Sequence, residues 1–154
     1  MNTLYVLVGV PGSGKSTWVK QQKWAKDCVV VSTDEFVEEY AKAQGLPYSK
    51  VFESFMPTAV DLMVEKVKRA REEGKDIIWD QTSTTPASRA RKFNMLPGYK
   101  KIAVVFKTPP TAELHERLNS RPGKEIPWTV VSMMSQQLEH DPPTEEEFDE
   151  IWYN

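Results

Sequence analysis

The sequence predicts an α/β fold, a parallel sheet with helices on both faces and a small lid, in one domain over residues 1–154. Three observations carry this. Short apolar runs rich in β-branched residues alternate with longer amphipathic stretches, the pattern of buried strands joined by crossover helices. A glycine-rich loop follows the first run directly and leads into a helical stretch. Two aspartates, Asp34 and Asp80, stand just past the second and third runs, and ligands of α/β folds gather at the carboxyl ends of strands.

In order, the strands are expected at residues 3–8, 28–32, 76–79 and 101–107, all too continuously apolar for a sheet with one wet face. A helix should open at Lys15 after the glycine-rich loop, and a second should run over residues 35–43. The next is expected over residues 58–73, with Ala59, Met63, Val67 and Ala70 on one face and Gly74 as its stop. Thr85 and Pro86 read as N-cap and first helical position of a helix ending near Leu96-Pro97. Thr111 opens another through Arg117. Residues 117–124 then lose apolar periodicity and gather Arg, Asn, Ser, Pro and Gly, a mobile connection to a helix starting near Pro127. Thr144 to Glu147 have the spacing of a capping box, so residues 144–153 are expected as a short acidic helix.

The 154 residues suffice for a proper core without staples, and 40% hydrophobic and 27% charged residues are ordinary globular values. A net charge of −2 argues against a general electrostatic grip on duplex DNA, while leaving room for a local basic site that handles a strand end. The one cysteine, Cys28, lies in an apolar run and reads as a buried strand residue, so no disulfide is expected within the chain. Leu4 to Val8 is too short to span a bilayer, and Gly9 to Lys15 follows where a signal peptide needs a cleavage site, so the expected location is cytoplasmic.

Gly9-Val10-Pro11-Gly12-Ser13-Gly14-Lys15-Ser16 matches the phosphate-binding pattern G-x-x-x-x-G-K-[ST] at every defined position, with Thr17 following. Between a strand and a helix, its backbone N–H groups converge on anionic oxygens. Gly12 and Gly14 let the backbone approach phosphates without a Cβ in the way. Lys15 is expected on the β- and γ-phosphates of ATP and the Ser16 hydroxyl on Mg²⁺.

The rest of the chain separates kinase from GTPase. There is no Asn-Lys-x-Asp run to read guanine and no Asp-x-x-Gly switch after the third strand. Asp34 instead can face the γ-phosphate from the acceptor side and take the proton of an attacking hydroxyl, or it can N-cap the helix that follows, and both roles are compatible. Asp80 ends an apolar strand, where an acid holds Mg²⁺ through water, orients the acceptor, or merely caps a turn. Arg117 and Arg121 lie four residues apart at the edge of the Pro/Gly segment, as lid arginines closing on phosphates or as a solvated surface pair. These features together define a P-loop kinase fold. Among the aromatics, Trp18, Trp24, Phe52, Phe55 and Trp79 include candidates for stacking a base, although most are expected in the core.

Nearly the whole chain, in order, resembles the kinase domain of the phage polynucleotide kinase family, which moves the γ-phosphate of ATP to a 5′-hydroxyl end. That family's opening Gly-x-Pro-Gly-Ser-Gly-Lys-Ser-Thr-Trp is repeated as Gly9 to Trp18. The resemblance implies Asp34 as general base, Asp80 as the acid after the third strand, and Arg121 as lid arginine. It implies ATP and Mg²⁺ as cofactors, a nucleic acid, DNA first, as partner, and the host cytoplasm as location. It does not extend to the family's phosphatase domain. One departure bears on the acceptor: three residues beyond its aspartate the family has an arginine that grips the acceptor, and this chain has Val37. Lys50 or Arg89 are candidate replacements. Similar small kinases look able to phosphorylate a hydroxymethyl group on a modified uracil in phage DNA. The competing readings are a small-molecule or nucleoside kinase and an ATP-binding switch without transfer chemistry.

Overall fold

The computed structural model describes residues 1–154. Five strands, β1 (Thr3–Val8), β2 (Val29–Val31), β3 (Ile77–Trp79), β4 (Lys100–Val105) and β5 (Glu150–Tyr153), form one sheet in the order β2-β3-β1-β4-β5. Every neighbouring pair is parallel, with Leu4 opposite both Ile77 and Lys101 in the centre. Alternation along β1 sends Leu4, Val6 and Val8 to one face, where they meet Met63, Val67 and Ala70 of α3 (Tyr48–Glu72) together with Leu96 and Tyr99. Leu7 faces the other way and shares a second core with Ile78, Val104 and Phe106, covered by Trp18 of α1 (Lys15–Gln21) and by Trp24. The remaining α-helices are α2 (Asp34–Gln44), α4 (Pro86–Met95), α5 (Thr111–Asn119) and α6 (Trp128–His140), and a short 3₁₀ helix, Lys23–Asp27, carries Trp24.

Three expectations are corrected. The helix expected over residues 58–73 begins ten residues earlier and runs through Pro57. Burial of Val51 against Val37 and Ala41 of α2, with Phe55 stacked on Tyr40 at 4.0 Å, offsets the hydrogen bond that proline cannot make. Cys28 is half-exposed and precedes β2, its Sγ near the Trp24 carbonyl at 3.8 Å.

The third correction is the C-terminus, where a strand replaces the expected helix. The capping box does form: Glu147 N donates to Thr144 Oγ1 at 3.3 Å, and Thr144 N donates to Glu147 Oε1 at 3.1 Å. It closes a single turn, because tertiary partners claim the residues that would propagate it. Phe148 is buried against Phe93, Asp149 Oδ2 accepts from Lys101 N at 2.8 Å, and the chain leaves along β4. Thr85, by contrast, caps α4 as expected, accepting from Ser88 N at 3.2 Å with Pro86 at the first position.

Arg89 locks this end to the body. Fully buried, it makes a two-point ion pair with Glu147, at 2.9 and 3.1 Å, and donates to the carbonyls of Ser83 and Asp141. Arg89→Ala leaves the Glu147 carboxylate without its cation, and is expected to cost about 3 kcal/mol in urea unfolding. A loss within the ordinary surface range would contradict the assignment.

Candidate active site

The carboxyl ends of β1, β2 and β3 open on one cleft, and the sequence places a candidate residue after each. After β1, the loop from Gly9 to Ser16 turns through Gly12 at φ 81° and Gly14 at φ 99°, left-handed conformations that favour glycine. A Cβ on Gly12 would lie 3.1 Å from Leu114 and Leu118 of α5, so this glycine lets helix and loop pack, whereas Gly14 has nothing within 4 Å and borders open space. Gly9 N donates to Thr82 O at 3.0 Å, tying the loop to the segment after β3. Pro11 is half-buried, and Ser16 and Thr17 are exposed on the first turn of α1.

Lys15 is buried and donates to the carbonyls of Gly9 at 3.0 Å and Val10 at 2.9 Å, which use two of its three protons. Burial lowers its pKa to about 8, opposed by the carboxylates of Asp80 and Asp34. Ser13 Oγ is buried and has no hydrogen-bond partner. A loop with a spare ammonium proton and an orphaned hydroxyl fits an anionic ligand, as the triphosphate of ATP would be. Ser16 Oγ donates to Asp80 Oδ2 at 2.9 Å. Burial raises the Asp80 pKa, and Ser16 and Lys15 oppose that shift. The pair also fits Mg²⁺, which binds through one or two protein oxygens and keeps the rest of its shell for water and phosphate.

After β2, the capping alternative for Asp34 fails. Asp34 is the first residue inside α2, Thr33 holds the N-cap position, and Ser32 Oγ accepts the Glu35 amide at 3.3 Å. The Asp34 carboxylate is turned to the cleft, where Oδ1 accepts from Tyr48 Oη at 2.5 Å and Oδ2 lies 3.9 Å from Lys124 Nζ. Gln81 bridges the two strand ends, accepting from Trp79 Nε1 at 3.0 Å and donating to Thr33 Oγ1 at 3.3 Å.

The lid is the segment after α5. Arg117 donates to the Gly12 carbonyl at 3.0 Å and pairs with Glu113, so it braces the phosphate loop from outside. Arg121 acts electrostatically on both Lys15 and Tyr48, and its Nε is buried with no hydrogen-bond partner, a second orphaned donor in the cleft. Gly123 O accepts from both Ser49 N at 2.9 Å and Ser49 Oγ at 2.7 Å, and Glu125 N donates to Ser49 Oγ at 2.8 Å. Lys124 pairs with Glu38 and lies 4.8 Å from the centre of the Tyr48 ring.

Lys15, Ser16, Asp34, Asp80 and Arg121 are thus brought together, with Arg117 at the edge. Val37 is fully buried against Ala41, Val51 and Ala59, and faces the α2–α3 core rather than the cleft. Arg89 is locked in its buried ion pair, so it is not a replacement acceptor cation. Lys50 is exposed. The cation beside Asp34 is Lys124, which sequence reasoning missed together with Tyr48; the signal for Lys124 was its place next to Pro122-Gly123, in the segment already read as a lid. Of the aromatic candidates, Trp79 is buried, Trp18 and Trp24 pack on each other and Phe55 stacks on Tyr40. Phe52 alone among them is open, 39% exposed and 5.4 Å from the Tyr48 ring.

Solved structures similar to this chain share its fold. A candidate kinase from Chloroflexus aurantiacus superposes with a TM-score of 0.68 at 17% identity, over 99% of this chain and 84% of that one. A chain of the Pnkp1/Rnl/Hen1 RNA repair complex gives 0.67 at 24% identity, over 96% of this chain and 46% of that one. A gluconokinase from Sinorhizobium meliloti 1021 gives 0.53 at 18% identity, over 98% and 81%. The fold is that of the P-loop kinases. The family model of an AAA domain matches residues 4–140, most of the sequence, and the chain belongs to that family.

Proposed function

We propose that this chain is an ATP-dependent kinase that transfers the γ-phosphate to a hydroxyl of a nucleic acid, DNA first. The observation that carries the kinase reading is Asp34: a carboxylate just inside α2, bonded to the Tyr48 hydroxyl and close enough to the phosphate-loop lysine to act on its charge. An ATP-binding switch has no use for an acceptor base. Lys15 holds the β- and γ-phosphates, Asp34 takes the proton of the attacking hydroxyl, and Arg121 closes on the charge that grows during transfer. Ser16 and Asp80 would hold Mg²⁺, which when bound neutralises charge on the β- and γ-phosphate oxygens. The nucleic-acid acceptor is supported by the resemblance to phage polynucleotide kinases and by the likeness to a chain of an RNA repair complex.

Two acceptors compete within this reading, a 5′-hydroxyl end and the hydroxymethyl group of a modified base. Val37 supplies no charge-assisted bond to a terminal phosphate, and Lys124, the cation beside Asp34, is already paired with Glu38. An open aromatic, Phe52, stands close by and suits an unstacked base, which favours the second acceptor more than the resemblance alone does. The deciding measurement is phosphate incorporation into three substrates. They are an oligonucleotide with a free 5′-hydroxyl, an end-blocked one carrying 5-hydroxymethyluracil, and free nucleosides. Label only on the free end rejects the base acceptor, and label only on the blocked strand rejects the 5′-end. Label only on nucleosides rejects the nucleic-acid reading. No helix is long and apolar enough to cross a membrane.

A further inference from the structure

One oxygen of Asp34 is already engaged by a hydroxyl, that of Tyr48, at 2.5 Å. The phenol belongs to the first residue of α3, and its ring is held on two sides, by the Lys124 ammonium 4.8 Å from its centre and by Phe52 at 5.4 Å. Lys124 in turn is fixed by Glu38 and faces the second Asp34 oxygen at 3.9 Å. Both carboxylate oxygens therefore have a protein group before them. Burial and the bond to Asp34 push the Tyr48 pKa up, so the phenol remains a donor.

We propose that Tyr48 is a specificity-determining residue that keeps water from using Asp34 as its base, so that a bound acceptor, and not solvent, receives the γ-phosphate. The inference rests on the ATP-dependent kinase reading, and is independent of which acceptor is used.

The Asp34 side chain is 55% exposed, so solvent is not shut out of the cleft, and the protection is by competition. A water must displace a phenol that the fold holds in place, at the cost of one charge-assisted hydrogen bond. An acceptor bound in the cleft is held in place too and can replace the phenol. Its oxygen then bonds to the γ-phosphorus, the bond from that phosphorus to the β–γ bridging oxygen breaks, and ADP leaves with the electron pair. The hydroxyl proton passes to Asp34. With water as attacker the same balance yields inorganic phosphate, and this is the reaction that Tyr48 suppresses.

The test is phosphate release from ATP and Mg²⁺ with no acceptor added, for the wild type, Tyr48→Phe, Lys124→Met and the double variant Tyr48→Phe/Asp34→Ala. Tyr48→Phe keeps the ring and removes the donor. It is expected to raise hydrolysis about tenfold, the weight of one charge-assisted hydrogen bond, at unchanged KM for ATP. Lys124→Met, which loosens the ring, should move the rate the same way by less, and the double variant should lose the gain. A purely structural role for Tyr48 would lower the rate or weaken ATP binding. Unchanged or lower hydrolysis in Tyr48→Phe, with normal ATP binding, overturns this inference alone. A wild type that neither binds nor hydrolyses ATP overturns the kinase reading and this inference with it.

Discussion

Asp34→Ala is expected to abolish transfer to the acceptor, a loss of about 10³-fold in kcat, while ATP binds almost as in the wild type. The asymmetry follows from where each group acts. A general base touches the acceptor and matters once the proton is leaving, so its removal appears in kcat and not in affinity for the nucleotide. Lys15→Ala should abolish transfer as well, but it also weakens ATP binding, because the ammonium meets phosphates in the ground state. Near-normal turnover in Asp34→Ala would remove it from the role of base. Lys15 carries a signature of its own in titration. The pKa of Lys15 is lowered to about 8 when no phosphate is bound, and an anionic ligand favours the charged form. Nucleotide binding should therefore take up a proton as pH rises past about 8, and affinity should fall in the same range. Calorimetry in buffers of different ionisation enthalpy reads this directly, and binding without proton uptake near pH 9 would contradict it.

Arg121→Ala is expected to lower turnover by about 10³-fold, with a much smaller effect on apparent ATP affinity. Its buried Nε has no hydrogen-bond partner in the cleft, so an anion that gains charge there during transfer gains most from it. Arg117 is the comparison: it is committed to the Gly12 carbonyl and Glu113, and its loss should loosen the phosphate loop and raise KM for ATP more than it lowers kcat. Equal losses in the two variants would sink the distinction.

The phosphate side of this cleft was legible in the sequence because it is local. Gly9 to Thr17 is one continuous stretch whose chemistry depends on its own backbone, and Ser16 and Asp80 meet because the neighbouring parallel strands β1 and β3 lead out on the same side of the sheet. The acceptor side was less legible because it is assembled from three separate segments. Tyr48, Lys124 and Asp34 share no spacing, and only the packing of α2 against α3 and the path of the lid bring them together. Val37 shows the same limit from the other direction. Counting three residues on from the aspartate placed it at the acceptor, whereas the helix turns that position into the core. The C-terminal strand was missed for a related reason. Thr144 and Glu147 do form the helix-start box, but Phe148 packs on Phe93 and the free edge of β4 takes the residues beyond.

The backbone of the lid supplies what α3 lacks at its own start. The helix begins after Pro47, which offers no side-chain cap, and the amide of Ser49 finds its acceptor in Gly123, 74 residues away, in the left-handed conformation at φ 73°. The segment after α5 and the first turn of α3 thereby hold each other in place, so loosening of one is expected to loosen the other. The Ser49 amide is a natural gauge of it: its deuterium exchange should slow when nucleotide draws Arg121 inward, and quicken in any variant that keeps the lid ajar.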